Sequence, residues 1–140
     1  MSSKKTFKFD KLIRDNFYQK ILKDNNVSFK LKNLSNNEEL LDYFKLKITE
    51  EANEVAGADS KEHLIEELAD CLEVIHGFAK ILGLNFDDIE TARQHKLIKR
   101  GGFSGGIVVD TISLTENHEL AQYCLKYSDK YPEIEVDIEC

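Results

Sequence analysis

The sequence predicts an all-α protein in which a core of four helices is accompanied by a small peripheral β element and a C-terminal helix. Glycine and proline are scarce, with seven and one in 140 residues. Both residues are unfavourable inside helices, so their scarcity favours long helices. Apolar residues also recur at helical spacing in successive segments of the chain.

The composition is that of an ordinary globular protein. Hydrophobic residues make up 41% of the chain and charged residues 32%. No run is long and apolar enough to span a membrane, and the N-terminus lacks the apolar centre of a secretory signal, so we expect a cytoplasmic protein with no membrane partner. A net charge of −7 argues against nucleic acid as a partner. The three cysteines are odd in number and widely spaced, so their pattern indicates neither a disulfide framework nor a zinc knuckle.

The N-terminal region is expected to hold one helix and one strand. Apolar residues recur every four positions over residues 10–24, which predicts a helix. Residues 27–32 alternate apolar and basic side chains, as a half-buried strand does. Residues 107–112 are rich in β-branched side chains and could pair with that strand.

Two long helices are expected to follow. The second helix should begin at Ser35 or the asparagines after it and end at Gly57. Its core-facing residues share helical spacing: Leu41, Phe44, Ile48, Ala52 and Val55. Asp59 and Glu62 form a capping-box pattern for a third helix that ends before Gly83. This helix is apolar on most of its circumference, so we expect it to be the most buried.

A fourth helix is predicted over residues 86–99, with Asn85 and Asp88 at its cap. Three basic residues share one of its faces at i, i+3 and i+7: Arg93, Lys96 and Arg100. The spacing fits two interpretations equally well. The stripe could face an acidic cleft, or it could merely complement the negative end of the helix dipole.

The C-terminal part is predicted to add a helix over residues 116–130 and a tail over residues 132–140. The tail alternates apolar and acidic side chains, which is typical of an edge strand or a mobile arm. We therefore expect residues 1–115 to form the all-α domain and residues 116–140 to form a helix and acidic tail that packs on it or extends from it.

Two acidic pairs lie on the second and third helices. Glu51 and Glu54, and likewise Glu67 and Asp70, are about one turn apart. Two carboxylates about 4 Å apart repel by roughly 4 kcal/mol at an effective dielectric near 20, so four in one cleft need protons or a cation. Oxygen ligands suit Mg²⁺, Mn²⁺ or Ca²⁺. A solvated helix face is the plainer interpretation of such a pair. That interpretation fits Glu67 and Asp70 poorly, because the third helix is mostly apolar.

Two other functions compete with such a metal site. Glu73 and His76 form one half of a di-iron bundle signature, yet no second Glu-x-x-His occurs, so a structural histidine is the better interpretation. A non-catalytic helical module could also use an acidic cleft only to sense a nucleotide.

The acidic pairs belong to a longer pattern. Glu50-Glu51-Ala52-Asn53-Glu54, followed after 12 residues by Glu67-Leu68-Ala69-Asp70, resembles the E-E-x-x-E and E-x-x-D signature of all-α nucleoside triphosphate pyrophosphohydrolases. These are the MazG-like and phosphoribosyl-ATP pyrophosphohydrolase-like proteins. Residues 9–15 are similar to a Y-N-K-L-V-R-D block found in one branch of that superfamily. Arg100-Gly101-Gly102-Phe103 is similar to a block that follows the last core helix in the same branch. The resemblance covers about residues 7–113 and implies a four-helix MazG-like core.

The resemblance implies Mg²⁺-dependent cleavage between the α and β phosphates of a nucleotide, with Mn²⁺ as a possible substitute. It implies four metal ligands: Glu51, Glu54, Glu67 and Asp70. Glu51 would also act in catalysis, beside Glu50, which would orient or deprotonate the attacking water. Five basic residues would hold the phosphates: Lys11, Arg14, Arg93, Lys96 and Arg100. The substrate could be a nucleoside triphosphate or phosphoribosyl-ATP itself.

The amphipathic helices also predict an assembly. Two long amphipathic hairpins would leave apolar flanks exposed on a lone chain, so we expect a homodimer or homotetramer.

Overall fold

The computed structural model describes residues 3–136, which contain helices and no strands. The helices are α1 (Asp15–Leu22), α2 (Asn37–Gly57), α3 (Lys61–Ile81), α4 (Phe86–Arg100) and α5 (Glu119–Lys126). The all-α prediction is confirmed. The chain divides into two compact units after Arg100, the first holding α1 to α4 and the second α5.

The predicted peripheral β element is wrong. Residues 27–32 and 107–112 form no ladder in the described part of the chain. Their apolar side chains do not gain a buried face: Phe29 is 39% exposed and Val108 is 87% exposed. A lone extended segment has no neighbour to bond its N–H and C=O groups, so alternation alone does not make a strand. The tail shows no regular structure up to residue 136, and residues 137–140 lie outside the described part.

The caps of α2 and α3 define the central hairpin. Asn36 accepts a hydrogen bond from the Glu38 N–H at 2.8 Å, which confirms that an asparagine after Ser35 starts α2. Ser60 accepts from the His63 N–H at 3.1 Å and starts α3. The expected cap at Asp59 is therefore wrong by one residue.

Helices α1 and α5 are shorter than predicted. Helix α1 begins at Asp15 because Arg14 has extended backbone angles, φ −68° and ψ 146°, and makes no side-chain cap. Helix α5 begins only at Glu119, where the Nδ1 atom of His118 accepts a hydrogen bond from the Leu120 N–H at 3.1 Å. Neither the full span 10–24 nor the full span 116–130 is helical.

Helices α2 and α3 pack closely along one another at a glycine. A Cβ atom added to Gly77 would lie 2.2 Å from the Cε1 atom of Phe44. Phe44 also meets Phe78 edge to face, with ring centroids 5.5 Å apart. Only a residue without a side chain lets the Phe44 ring lie against the α3 backbone.

Helix α4 folds back onto α3 through a tight turn. Gly83 has φ +70°, and Leu84 donates its N–H to the carbonyl of Ala79 at 2.8 Å, which closes α3 in the left-handed manner that glycine favours. His76 of α3 then stacks on Phe86 of α4 with ring centroids 4.1 Å apart.

The core of the described chain is small. Val74 and Ala79, both on α3, are the buried apolar residues among positions 3–136. The prediction that α3 is the most buried helix holds in that respect, yet Ile65 and Leu68 on the same helix are 58% and 50% exposed. No helix within the described residues is both long and apolar enough to cross a membrane.

Candidate metal centre

Four carboxylates meet where α2 lies against α3. Glu51 and Glu54 come from α2, and Glu67 and Asp70 come from α3. One oxygen of each lies within 4.8 Å of the others. The hairpin therefore brings together all four residues for which the sequence predicted a ligand role.

The two inner carboxylates have oxygens with no partner. Glu51 is 7% exposed, and the Glu67 side chain is 12% exposed. The Oε2 atom of each is buried and has no hydrogen bond within the described residues. A buried polar atom left unbonded costs about 1–3 kcal/mol, and more when it is charged. A hard divalent cation bound by these oxygens would remove that cost, so the residues fit a metal.

The electrostatics of the cluster point the same way. Burial raises the pKa of Glu51, and the neighbouring carboxylates of Glu54 and Asp70 raise it further against the opposing effect of Lys47. The neighbouring Glu67 side chain raises the pKa of Glu54. Without a cation, Glu51 and Glu54 therefore hold protons more tightly than free carboxylates do.

Glu50 lies beside the cluster but in a different environment. Lys11 reaches its Oε1 atom at 2.8 Å and Lys47 reaches its Oε2 atom at 3.1 Å. These two ammonium groups, Lys11 first, hold the pKa of Glu50 below its ordinary value. The same sequence run thus contains an ionised carboxylate, Glu50, next to a buried one, Glu51.

The N-terminal basic residues contact this centre directly. Besides the Lys11–Glu50 pair, Arg14 donates from Nη2 to Oδ1 of Asp70 at 2.6 Å. Asp10 joins the same segment to α2 outside the cluster, because it accepts a hydrogen bond from the Tyr43 hydroxyl at 2.6 Å. Lys11 and Arg14 therefore lie at the rim of the acidic cluster, where their cationic side chains could bind phosphate groups.

The basic stripe of α4 is not brought to the cluster. Arg93 is paired within its own helix, with Nε 2.8 Å from Oε2 of Glu90. In the described part of the chain no ion pair or hydrogen bond joins the side chain of Lys96 or Arg100 to the acidic residues. Their role in phosphate binding stays a prediction.

Two basic residues at the centre were not predicted from the sequence. The Lys47 ammonium lies 3.5 Å from Oε1 of Glu51, and Nε2 of His63 lies 3.0 Å from Oε1 of Glu67. Asp59 and then Glu67 raise the pKa of His63. Each residue stands four positions before a predicted ligand on the same helix, which is the signal that could have revealed it.

The di-iron alternative gains no support. His76 stacks on Phe86 and does not belong to the group of four carboxylates that could hold a metal. It packs as a structural histidine.

Comparison with known proteins agrees with this centre. Residues 39–102 match the family model of the MazG nucleotide pyrophosphohydrolase domain. Neither a search of curated proteins nor a search of solved structures gave a significant match. The matched segment contains α3, α4, nearly all of α2 and the four clustered carboxylates. Residues 39–102 are therefore similar to the MazG nucleotide pyrophosphohydrolase domain.

Proposed function

We propose that this protein hydrolyses a nucleoside triphosphate between its α and β phosphates in the presence of Mg²⁺, giving a nucleoside monophosphate and pyrophosphate. The observation that carries the proposal is the cluster of four carboxylates with two buried, unpartnered oxygens inside the MazG segment. A site that only senses nucleotide would not need all four carboxylates.

Glu51, Glu54, Glu67 and Asp70 would hold the cation. Mn²⁺ could replace Mg²⁺ there because both ions take oxygen ligands. When bound, Mg²⁺ would neutralise phosphate charge and lower the pKa of a coordinated water. Carboxylates alone would repel a polyphosphate, so metal and nucleotide should bind together.

Lys11 and Arg14 would hold the phosphates, since both already lie at the rim of the cluster on Glu50 and Asp70. Their cationic groups could exchange a carboxylate partner for a phosphate oxygen. Arg93, Lys96 and Arg100 would add to the same function from α4. Arg93 would first have to leave Glu90.

Glu50 would orient the attacking water as a hydrogen-bond acceptor. Its lowered pKa makes it a poor base while Lys11 and Lys47 remain paired with it. Glu51 would take part through its carboxylate at the cation. Of the two roles considered for Glu50, orientation is therefore the one we propose.

We further propose that the protein acts as a homodimer or homotetramer in the cytoplasm. Ile65, Leu68 and Leu72 follow one another at helical spacing on α3 and are 58%, 50% and 46% exposed. Such a stripe is typical of an interface between subunits. Cys71 and Cys124 are free thiols, which fits a reducing compartment. Sedimentation showing a monomer at micromolar concentration would contradict the assembly.

The test of the activity is a panel of canonical and modified nucleoside triphosphates, with phosphoribosyl-ATP included, incubated with protein and Mg²⁺. Pyrophosphate and orthophosphate are scored separately. We expect pyrophosphate and a monophosphate from at least one nucleotide, and none when a chelator removes the metal. Orthophosphate alone would contradict the proposed cleavage position. Metal-dependent binding of nucleotide with no turnover would replace the enzyme by a sensor.

A further inference from the structure

The two helices of the metal centre carry the same arrangement of side chains. On α2, Lys47 stands four residues before the buried ligand Glu51; on α3, His63 stands four residues before Glu67. In both helices the second carboxylate follows the first after three more residues. Because residues four apart lie on one helix face, each basic side chain meets the ligand of its own helix.

Both contacts are made to the same kind of oxygen. The Nζ atom of Lys47 lies 3.5 Å from Oε1 of Glu51, and Nε2 of His63 lies 3.0 Å from Oε1 of Glu67. In both ligands the other oxygen, Oε2, is buried and has no hydrogen-bond partner. Each carboxylate is thus held through one oxygen while the other is left for a cation.

The two basic side chains are themselves held in place. Lys47 is only 18% exposed along its side chain and also lies 3.1 Å from Oε2 of Glu50. The second nitrogen of His63, Nδ1, lies 3.3 Å from Oδ1 of Asp59. A second carboxylate therefore fixes the direction from which each nitrogen approaches its ligand.

We propose that Lys47 and His63 are positioning residues that select Oε2 of Glu51 and Oε2 of Glu67 as the cation-binding oxygens. This inference rests on the proposed cation site and adds what orients it. Partners that hold metal ligands from outside typically change metal affinity by about 10- to 100-fold when they are removed.

A simpler role for Lys47, balancing the negative charge of the cluster, predicts the opposite change in cation affinity. If its ammonium only balanced the negative charge of the cluster, replacing it with a neutral residue would make the cluster more negative and strengthen cation binding. If it positions Glu51, the same replacement frees the carboxylate to rotate and weakens cation binding. The sign of the change in affinity separates the two roles.

The experiment measures binding of Mn²⁺ alone to the full chain, by the electron paramagnetic resonance signal of free Mn²⁺, near neutral pH and without nucleotide. Lys47→Met and His63→Leu remove the nitrogen that contacts the ligand. Lys47→Arg and His63→Gln keep an N–H donor. Lys45→Met and His95→Leu make the same changes at exposed positions on α2 and α4.

We expect wild-type protein to bind Mn²⁺, Lys47→Met and His63→Leu each to bind about tenfold more weakly or worse, and the two donor-retaining variants to recover most of that loss. The exposed control variants should bind as wild type does. Circular dichroism should show wild-type helix content in every variant, which separates loss of positioning from loss of the fold.

Four results would overturn the inference. Tighter binding by Lys47→Met would show a charge-balancing lysine, and unchanged binding by both donor-removing variants would show that neither residue positions a ligand. Equal losses in the donor-retaining and donor-removing variants would also contradict it. If wild-type protein bound no Mn²⁺, the proposed cation site would fail and the inference with it.

Discussion

Two regions reach the candidate metal centre in different ways: the central hairpin of α2 and α3, and the segment before it, residues 3–36. The hairpin places its carboxylates through regular helices with side-chain caps at Asn36 and Ser60. The earlier segment reaches the centre by side-chain contacts, through Lys11 to Glu50 and Arg14 to Asp70. Backbone geometry thus positions the four carboxylates, whereas charge attraction holds Lys11 and Arg14, the proposed phosphate-binding residues.

The largest effect should come from a hairpin ligand. Glu67→Gln keeps the size of a side chain that is 12% exposed but removes its charge. We expect metal-dependent pyrophosphate release to be abolished while the helix content stays unchanged. Glu66→Gln, at the exposed neighbouring position, should keep wild-type activity. Undiminished turnover in Glu67→Gln would remove the argument for a metal site on the hairpin.

A second change tests whether helix packing fixes the ligands. Gly77→Ala would place a methyl group 2.2 Å from Phe44, and such overpacking typically costs about 1–3 kcal/mol. We expect a lower unfolding free energy in denaturant, followed by circular dichroism. Gly57→Ala, whose added methyl group meets no atom within 4 Å, is the matched control and should be neutral or slightly stabilising. Equal stability of both variants would mean that the hairpin does not depend on this close approach.

The pH dependence of metal binding gives an intermediate test. The pKa values of Glu51 and Glu54 are raised above their ordinary 4.5. In metal-free protein, a raised carboxyl pKa adds stability below the unfolded-state value, and this contribution is lost as pH rises through the folded-state value. Mg²⁺ binds the deprotonated form, so the Mg²⁺-induced rise in Tm should be large at neutral pH and shrink toward pH 4.5.

Thermal melts with and without Mg²⁺ across this range check the expectation. Glu54→Gln should flatten the dependence because one of the two raised groups is gone. A Mg²⁺ effect that grows as the pH falls would contradict the assignment of these carboxylates to the cation.

A smaller effect is expected from the segment that charge holds in place. Arg14→Ala frees Oδ1 of Asp70, so affinity for metal alone should rise while affinity for nucleotide with metal should fall, by about tenfold. Isothermal titration at low and high salt measures both. Lys20→Ala, an exposed change of the same charge on α1, is the control. A parallel fall in both affinities would mean that Arg14 supports the site structurally.

The smallest effect should come from α4. Arg100→Ala should weaken nucleotide binding by a few-fold and leave metal binding unchanged, because no ion pair joins Arg100 to the carboxylates in the described part of the chain. Lys99→Ala is the adjacent control. Equal nucleotide affinity of Arg100→Ala and wild type would reduce the basic stripe to a helix-end effect.

Local information was enough to predict most of the helices and the pairing of the acidic residues on α2 and α3. Gly57 and Gly83 marked the ends of α2 and α3, and the E-x-x-E and E-x-x-D spacings placed two carboxylates on one face of each helix. These features depend on residues within one or two helical turns of each other, so they can be predicted from the sequence alone.

What the sequence left unpredicted depends on distant partners. Residues 27–32 have the alternation of a strand, but a strand needs a ladder that the described chain does not provide. Gly77 could not be read as a packing site because its neighbour, Phe44, is far away in sequence. The stripe of α4 pointed to an acidic cleft or to a helix end. Arg93 instead pairs with Glu90 three residues earlier on the same helix, a local contact that the spacing could have revealed.

The link between α2 and α3 comprises only residues 58–60. The number of residues between the two acidic pairs therefore determines whether the four carboxylates meet. Each residue in a helix advances the chain by about 1.5 Å and turns it by about 100°. A single residue deleted from α3 between Ser60 and Glu67 would therefore swing Glu67 and Asp70 away from Glu51 and Glu54, although every ligand would still be present. The centre should accordingly tolerate many substitutions on its outer faces but no insertion or deletion between its two acidic pairs.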